Sequence, residues 1–478
     1  MRTLVLLRGL PGCGKSRFVA ENDLEPYTLS SDNFRLLYGS ITKTPEGKDT
    51  ISGAYDKYVW KMLFSILEKR MEEGLFTVID ATNIKRKDIN RYRNLAATYR
   101  YRIYCVDFSD VSIDVCKRNN ENREEYKYVP EAAIERMALQ LADPANKLPS
   151  DIKVIDPYTF DLSNFFHYID FSKYENVHII GDIHGCADPI KTYLNEIHDN
   201  DFYIFCGDYV DRGIQNAETL KFLMPLAKRN NFLFLEGNHE AHLNRWANNL
   251  DVHSKEFRNE TAPELEAAGI SKKEVREFCR KLGQCAFFKY NKSFFVVTHG
   301  GIPFFPDVFT PTKALIHGFG TYNDVETEDD AFCTRFSAYP NYYSIHGHRN
   351  PNGNPIQVND RCFNLEGAVE FGGELRIVRL HGDEILTYEI ENKTFKAFDY
   401  GKIDKPLPTD IEGVVEALRS TSLVKEKQFG HISSFNFTRA VFTKGMWSNV
   451  TMKARGLFIN TKTNEIAAMQ KIEILTQV

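Results

Sequence analysis

Residues 177–185 read VHIIGDIHG, residues 203–213 read YIFCGDYVDRG and residues 232–240 read FLFLEGNHE. Each is an apolar run that ends in Gly and a metal-type ligand. A buried strand delivers polar side chains to the rim of a sheet in this way, where the next loop can turn sharply. Asp182, His184, Asp208, Asn238 and His239 are oxygen and imidazole donors. Such a mixed set suits first-row divalent cations better than an all-sulfur or all-carboxylate cage. Further on, FFVVTHGG (294–301) brings His299 off another apolar run, and SIHGHR (344–349) brings His346 and His348. Any one of these histidines, taken alone, reads as a hydrogen-bonded core or loop residue. The series, in order on successive strand ends, predicts a two-metal site.

The set GDIHG…GDYVDRG…GNHE…THGG…HGHR resembles the calcineurin-like metallophosphoesterase superfamily over most of residues 175–380. That resemblance implies an αββα sandwich in which Asp182, His184 and His348 hold one metal and Asn238, His299 and His346 the other, with Asp208 between them. It also implies that His239 sits beside the phosphate, oriented by Asp211, while Arg212 grips the phosphate oxygens. The chemistry agrees. Two close cations can ionise a water and stabilise an in-line displacement at phosphorus, and Arg makes forked contacts with phosphate oxygens. Mn²⁺ is the expected occupant.

The chain has 478 residues, too many for one ordinary domain, with 42% hydrophobic and 26% charged residues and a net charge of −5. This is a globular composition. The net charge makes no global case for nucleic acid, so any such site is a local basic patch. Nine cysteines show no paired spacing, which argues for reduced thiols. The opening strand does not read as a signal peptide, and no apolar run is long enough to span a bilayer, so a cytoplasmic location and no membrane contact are expected.

At the start, the strand Thr3–Arg8 runs into Gly9-Leu-Pro-Gly12-Cys-Gly14-Lys15-Ser16 and then a helix. The spacing is that of a P-loop, whose backbone wraps phosphates. Lys15 would reach the β and γ phosphates of ATP, and Ser16 would ligate Mg²⁺. Asp32 and Arg35 lie one helical turn apart. They suit a base for an acceptor hydroxyl and a grip on the acceptor's phosphate, and they read equally as a helix N-cap and a solvated arginine. Asp80, at the end of the strand 76–80, could orient Mg²⁺. Arg118 and Arg123, beyond the strand 102–108, could fold over ATP as a lid. Together these pieces resemble the P-loop kinase of the polynucleotide 5′-kinase family over roughly residues 1–150.

The tail contains Lys453-Ala-Arg-Gly456, which resembles the nucleotide-accepting lysine motif of covalent RNA ligases. With 25 residues after Lys453, the later ligase motifs are not expected, and a fragment is expected in their place, docked through Phe435, Phe437, Trp447 and Phe458. The order of modules resembles the bacterial polynucleotide kinase-phosphatase family of RNA repair enzymes.

The expected architecture is therefore α/β and multidomain. It has a P-loop kinase with a parallel sheet and flanking helices over 1–152, a connector over 153–174, a phosphoesterase sandwich over 175–395, and a linker with a small strand-rich fragment over 396–478. The expected function is RNA end healing: phosphorylation of 5′-hydroxyl ends with ATP and removal of 3′-phosphate or 2′,3′-cyclic phosphate. Expected partners are RNA ends, with DNA ends as the alternative, a second copy of the chain, and a ligase or ligase-completing partner at the tail. The competing readings are a small-metabolite kinase fused to a protein or dinucleoside-polyphosphate phosphatase, and an RNA-end sensor that does not seal.

Overall fold

The computed structural model describes residues 2–45 and 47–395 together with five strands at 399–402, 439–441, 448–452, 455–460 and 465–469. It forms two compact units. The first comprises Met1–His167 with Pro306–Lys313, and the second Tyr168–Phe305 with Ala314–Val478.

In the first unit, β1 (Thr3–Arg8), β2 (Thr28–Ser30), β5 (Thr77–Asp80), β6 (Arg102–Asp107) and β7 (Lys153–Ile155) form a parallel sheet in the order β2-β5-β1-β6-β7. β3 (Ile41–Lys43) and β4 (Asp49–Ile51) pair apart as an antiparallel hairpin. All six residues of β1 are buried, as expected for a strand covered on both faces. Leu4 and Leu6 pack on one side with Val59, Leu63, Leu67 and Ile89, from α3 (Asp56–Glu73) and α4 (Arg86–Tyr99). Val5 and Leu7 pack on the other with Phe18, Val19 and Ile134, from α1 (Lys15–Glu21) and α6 (Glu131–Ala142). α2 (Ser31–Gly39) and α5 (Ile113–Glu121) complete the unit. β7 lies within the stretch expected to be a connector.

The second unit is a sandwich of two sheets. β9 (Asn176–Ile180), β10 (Phe202–Phe205) and β11 (Phe232–Phe234) are parallel and continue through β16 (Glu374–His381) to β17 (Glu384–Glu391). The facing sheet has the order β15-β14-β13-β12-β8, from Cys362–Asn364, Tyr342–His346, Ser293–Thr298, Ala286–Tyr290 and Ile169–Asp170. Ile179, Ile204 and Cys206 meet Phe288, Phe295, Val297 and Ile345 between the sheets. The outer face of the first sheet, through Ile180, Phe205 and Phe234, is covered by α7 (Ala187–Tyr193), α8 (Asn216–Leu226), α9 (Glu240–Ala247), α10 (Ala262–Ala267) and α11 (Lys272–Cys279). On the other sheet, Val296 and Cys362 pack on Leu315 of α12 (Thr312–His317) and Phe332 of α13 (Val325–Arg335). The layering is the expected αββα.

The five C-terminal strands form a separate antiparallel sheet, a strand-rich tail. Lys453, Phe435, Phe437 and Trp447 lie outside the described residues. No helix among the described residues is long and apolar enough to cross a membrane. None of the nine cysteines forms a disulfide.

Candidate active sites

In the first unit, β1 delivers the glycine loop and α1 starts at Lys15. Gly12 and Gly14 take φ of 80° and 105°. A Cβ on Gly12 would come 2.2 Å from the Cys116 carbonyl, so only glycine fits against α5 there. The buried Lys15 ammonium donates to the carbonyls of Gly9 (3.0 Å) and Leu10 (2.8 Å). Gly9 thus acts through its carbonyl. Ser16 Oγ donates to Asp80 Oδ2 at 2.9 Å. Burial raises the Asp80 carboxyl, while Lys15 and the Ser16 hydroxyl pull it back.

These groups line a cavity of about 570 Å³, which Asp32, Arg35 and Arg123 also line. Both Asp32 oxygens are held: Oδ1 accepts from Arg35 at 2.8 Å and Oδ2 from Arg123 at 3.3 Å. Arg35 also makes a forked contact with Asp56, at 2.8 and 3.0 Å. Asp56 sits 21 residues away, and no sequence signal marks it. Arg118 is exposed and does not line the cavity, so of the two expected lid arginines Arg123 alone lines it. Instead Asn119, next to Arg118, donates to the Gly12 carbonyl at 2.9 Å.

In the second unit the ligand-type residues converge beyond the ends of β9, β10, β11, β13 and β14. Asp208 Oδ2 is the hub. It lies 3.5 Å from His184 Nε2, 3.2 Å from His299 Nε2 and 3.9 Å from His239 Nε2. His299 Nε2 also lies 3.0 Å from Asn238 Oδ1. Ligand atoms within 4.8 Å of one another form three groups: His184, Asp208 and His239; Asp208, His299 and His348; Asp182, His184 and Glu366. The buried oxygens Asp182 Oδ1, Asp208 Oδ2 and Glu366 Oε2 have no hydrogen-bond partner. Unsatisfied buried carboxylate oxygens facing imidazoles are costly unless a cation takes them. The donor set therefore fits a pair of divalent metals.

The charges follow from this crowding. Burial alone would raise the Asp208 carboxyl, but the imidazoles of His299, His239 and His184 hold it well below the usual range. Burial, then the neighbouring Glu366 and Asp208 charges, push Asp182 well up. Burial keeps His184 and His348 neutral, as ligands must be.

The geometry corrects one expected grouping. His348 stands with Asp208 and His299, not with Asp182 and His184. His346 belongs to none of the groups; its Nε2 lies 3.1 Å from Asp329 Oδ1 on α13. β14 ends at His346, and His348 takes a left-handed φ of 64° that turns it off the strand direction. The strand period would have put both imidazoles on one face.

His184, Asp208, Asp211 and Arg212 also have left-handed φ, between 45° and 74°. Such conformations cost about 1–3 kcal/mol each and persist only where the surroundings impose them. Glu240 is one such restraint. Its carboxylate accepts from the backbone of Asp208 (2.8 Å), Tyr209 (2.9 Å) and Gly237 (2.8 Å). Arg212 is fixed by Glu370 at 3.0 Å and lies 3.1 Å from His184 Nε2. Glu240 ends the GNHE motif, and Glu366 and Glu370 occur in NLEGAVE; in the sequence these carboxylates look like ordinary solvated ones.

Residues 4–144 match the family model of an AAA domain, and residues 176–348 that of the calcineurin-like phosphoesterases. The symmetrical bis(5′-nucleosyl)-tetraphosphatase of Marinomonas sp. is 29% identical over 171 residues, which cover 35% of this chain and 58% of that protein. The asymmetrical bis(5′-nucleosyl)-tetraphosphatase PrpE of Halalkalibacterium halodurans is 26% identical over 229 residues, covering 44% of this chain and 92% of that one. The structure of the Pnkp1/Rnl/Hen1 RNA repair complex aligns with 76% of this chain and 96% of its own at 16% identity, with a TM-score of 0.26, too loose to bear on fold or function. The chain thus joins an AAA module to a metal-dependent phosphoesterase module.

Proposed function

We propose that this protein prepares both ends of a broken polynucleotide. The first unit transfers the γ-phosphoryl of ATP to a 5′-hydroxyl, and the second hydrolyses a 3′-phosphate or 2′,3′-cyclic phosphate. The observation that carries the reading is Asp32. It is a carboxylate clamped by two arginines, on the wall of the same cavity that holds the P-loop lysine. An acceptor hydroxyl placed there gives its proton to Asp32 as the γ-phosphorus–oxygen bond to ADP breaks. Arg35 and Arg123 would then hold phosphate oxygens, Lys15 would turn from the Gly9 and Leu10 carbonyls to the nucleotide, and Ser16 with Asp80 would hold Mg²⁺.

In the second unit Asp208, His184, His299, His348, Asn238, Asp182 and Glu366 would hold two divalent cations. Such cations, Mn²⁺ being the expected kind, supply water ionisation and phosphoryl polarisation. Arg212 orients the phosphate. His239 Nε2 gives a proton to the departing ribose oxygen as the phosphorus–oxygen bond breaks.

A second reading is favoured by the names of the relatives: the phosphoesterase module acts on dinucleoside polyphosphates. One assay separates the two. The full chain is incubated with ATP, Mg²⁺, Mn²⁺ and an oligonucleotide bearing 5′-hydroxyl and 3′-phosphate ends, and in parallel with diadenosine tetraphosphate. A new 5′-phosphate with loss of the 3′-phosphate supports end healing. Cleavage of the tetraphosphate alone, with both oligonucleotide ends intact, sinks it.

A further inference from the structure

Beside the acceptor wall of the first unit lies an aromatic cluster that the chemistry above does not use. Tyr38, Tyr55 and Tyr58 are 45%, 46% and 52% exposed. Tyr38 and Tyr58 lie nearly parallel, with centroids 5.8 Å apart and planes 6° apart, and Tyr55 leans on Tyr38 at 5.4 Å. Tyr38 is on α2, Tyr58 on the first turn of α3, and Tyr55 ends the short turn Gly53–Tyr55 that leads into α3. Their spacing holds because those elements are joined by Arg35 and Asp56: Tyr38 is one turn beyond Arg35, and Tyr55 immediately precedes Asp56.

All three tyrosines are exposed, so core packing does not account for the cluster. Its position does suggest a role. Arg35 belongs to the cavity wall, so the rings begin one helical turn from the acceptor site. An acceptor that fits inside a cavity of about 570 Å³ would not need them. An acceptor that runs out of it would cross them. Lys57 and Lys61 are exposed on the same helix, and Lys61 follows Tyr58 by three residues, on the same face. Exposed aromatic faces beside lysines match the chemistry of a single strand, whose bases stack and whose backbone is anionic.

We propose that Tyr38, Tyr55 and Tyr58 form a stacking platform for a single-stranded polynucleotide, holding the bases that follow the nucleotide whose 5′-hydroxyl enters the cavity. The proposal rests on the kinase reading above and names its substrate class: a strand, not a small metabolite.

The test uses the full chain and a 5′-hydroxyl oligonucleotide of about ten nucleotides, with 2-aminopurine as the second or third base. Binding quenches the probe. Replacing each tyrosine with Ala should weaken binding about 5- to 100-fold, Tyr→Phe should restore it, and phosphorylation of a nucleoside 3′-monophosphate should stay unchanged. Ala variants that bind the oligonucleotide like the parent overturn the platform. So does equal loss on both acceptors, or a parent dimer that Tyr58→Ala splits, which would make the patch a self-association surface. Tyrosine-dependent binding without any 5′ phosphorylation keeps the platform and removes the kinase reading. Phosphorylation of the oligonucleotide that is insensitive to the tyrosines does the reverse.

Discussion

His239 Nδ1 lies 2.7 Å from Asp211 Oδ2, and both side chains are buried. The other Asp211 oxygen accepts from the Thr261 hydroxyl, on a π-helical turn at Phe257–Thr261, so the carboxylate cannot rotate away. Nδ1 therefore carries the hydrogen in this pair, and Nε2 points toward Asp208. Burial alone would lower the His239 pKa, but the Asp208 charge and the Asp211 bond raise it to about 9.

Asp211→Asn keeps an oxygen for Nδ1–H and removes the charge. Hydrolysis should fall by about 10²- to 10⁴-fold, as for His239→Ala, and the double variant should be little worse than either single one. Metal stoichiometry, measured alongside the rate, should stay at the parental level in all three.

The same imidazole makes a pH prediction for chelator-treated protein. A histidine raised from about 6.5 to about 9 stabilises the fold fully below pH 6.5 and loses that contribution as pH rises to 9. The difference in unfolding free energy between the parent and His239→Asn should shrink over that window, at about 1.4 kcal/mol per pH unit or less. His184 and His348, whose folded values are depressed, act oppositely: their contribution is present above pH 6.5 and is lost as pH falls below it. Denaturant titrations at several pH values check both signs.

Glu240 is expected to matter without touching substrate. Glu240→Gln places an amide against backbone donors and leaves at least one buried N–H unpaired, costing about 1–3 kcal/mol for each. Because those donors belong to Asp208, Tyr209 and Gly237, bound metal should drop together with thermal stability. Full metal content in a merely destabilised variant would contradict this.

His346 and His348 should separate cleanly. His348→Ala should lower bound metal, since that ring stands with Asp208 and His299. His346→Ala should leave metal in place but unfold earlier, by about 3–5 kcal/mol, because it strands the buried Asp329 carboxylate. Elemental analysis and melting curves decide.

In the first unit, Asp32→Ala should abolish 5′ phosphorylation while phosphoesterase turnover stays intact. Asp56→Ala should release Arg35, raising KM for the acceptor by about tenfold or more with KM for ATP little changed, as loss of a forked ion pair predicts. If KM for ATP moved instead, Arg35 would be a nucleotide contact.

The sequence alone determined which strands carry ligands. An apolar run with a Gly and a donor at its end reads as a buried strand releasing a polar tip, and the P-loop glycines take backbone shapes that other residues resist. Both features are local, so they are legible in order along the chain. What the tertiary structure decided is which tips meet. His346 and His348 look equivalent in HGH, yet the chain leaves β14 between them, and one ring turns to Asp329 while the other turns to Asp208 and His299. Arg118 and Arg123 look equivalent too, yet Arg118 is on α5 and it is Arg123, in the loop just beyond that helix, that meets Asp32. Asp56, Glu240, Glu366 and Glu370 are ordinary acidic residues in the sequence. Their roles come from burial and from partners as many as 158 residues away, as for Glu370 and Arg212, a distance no local pattern spans.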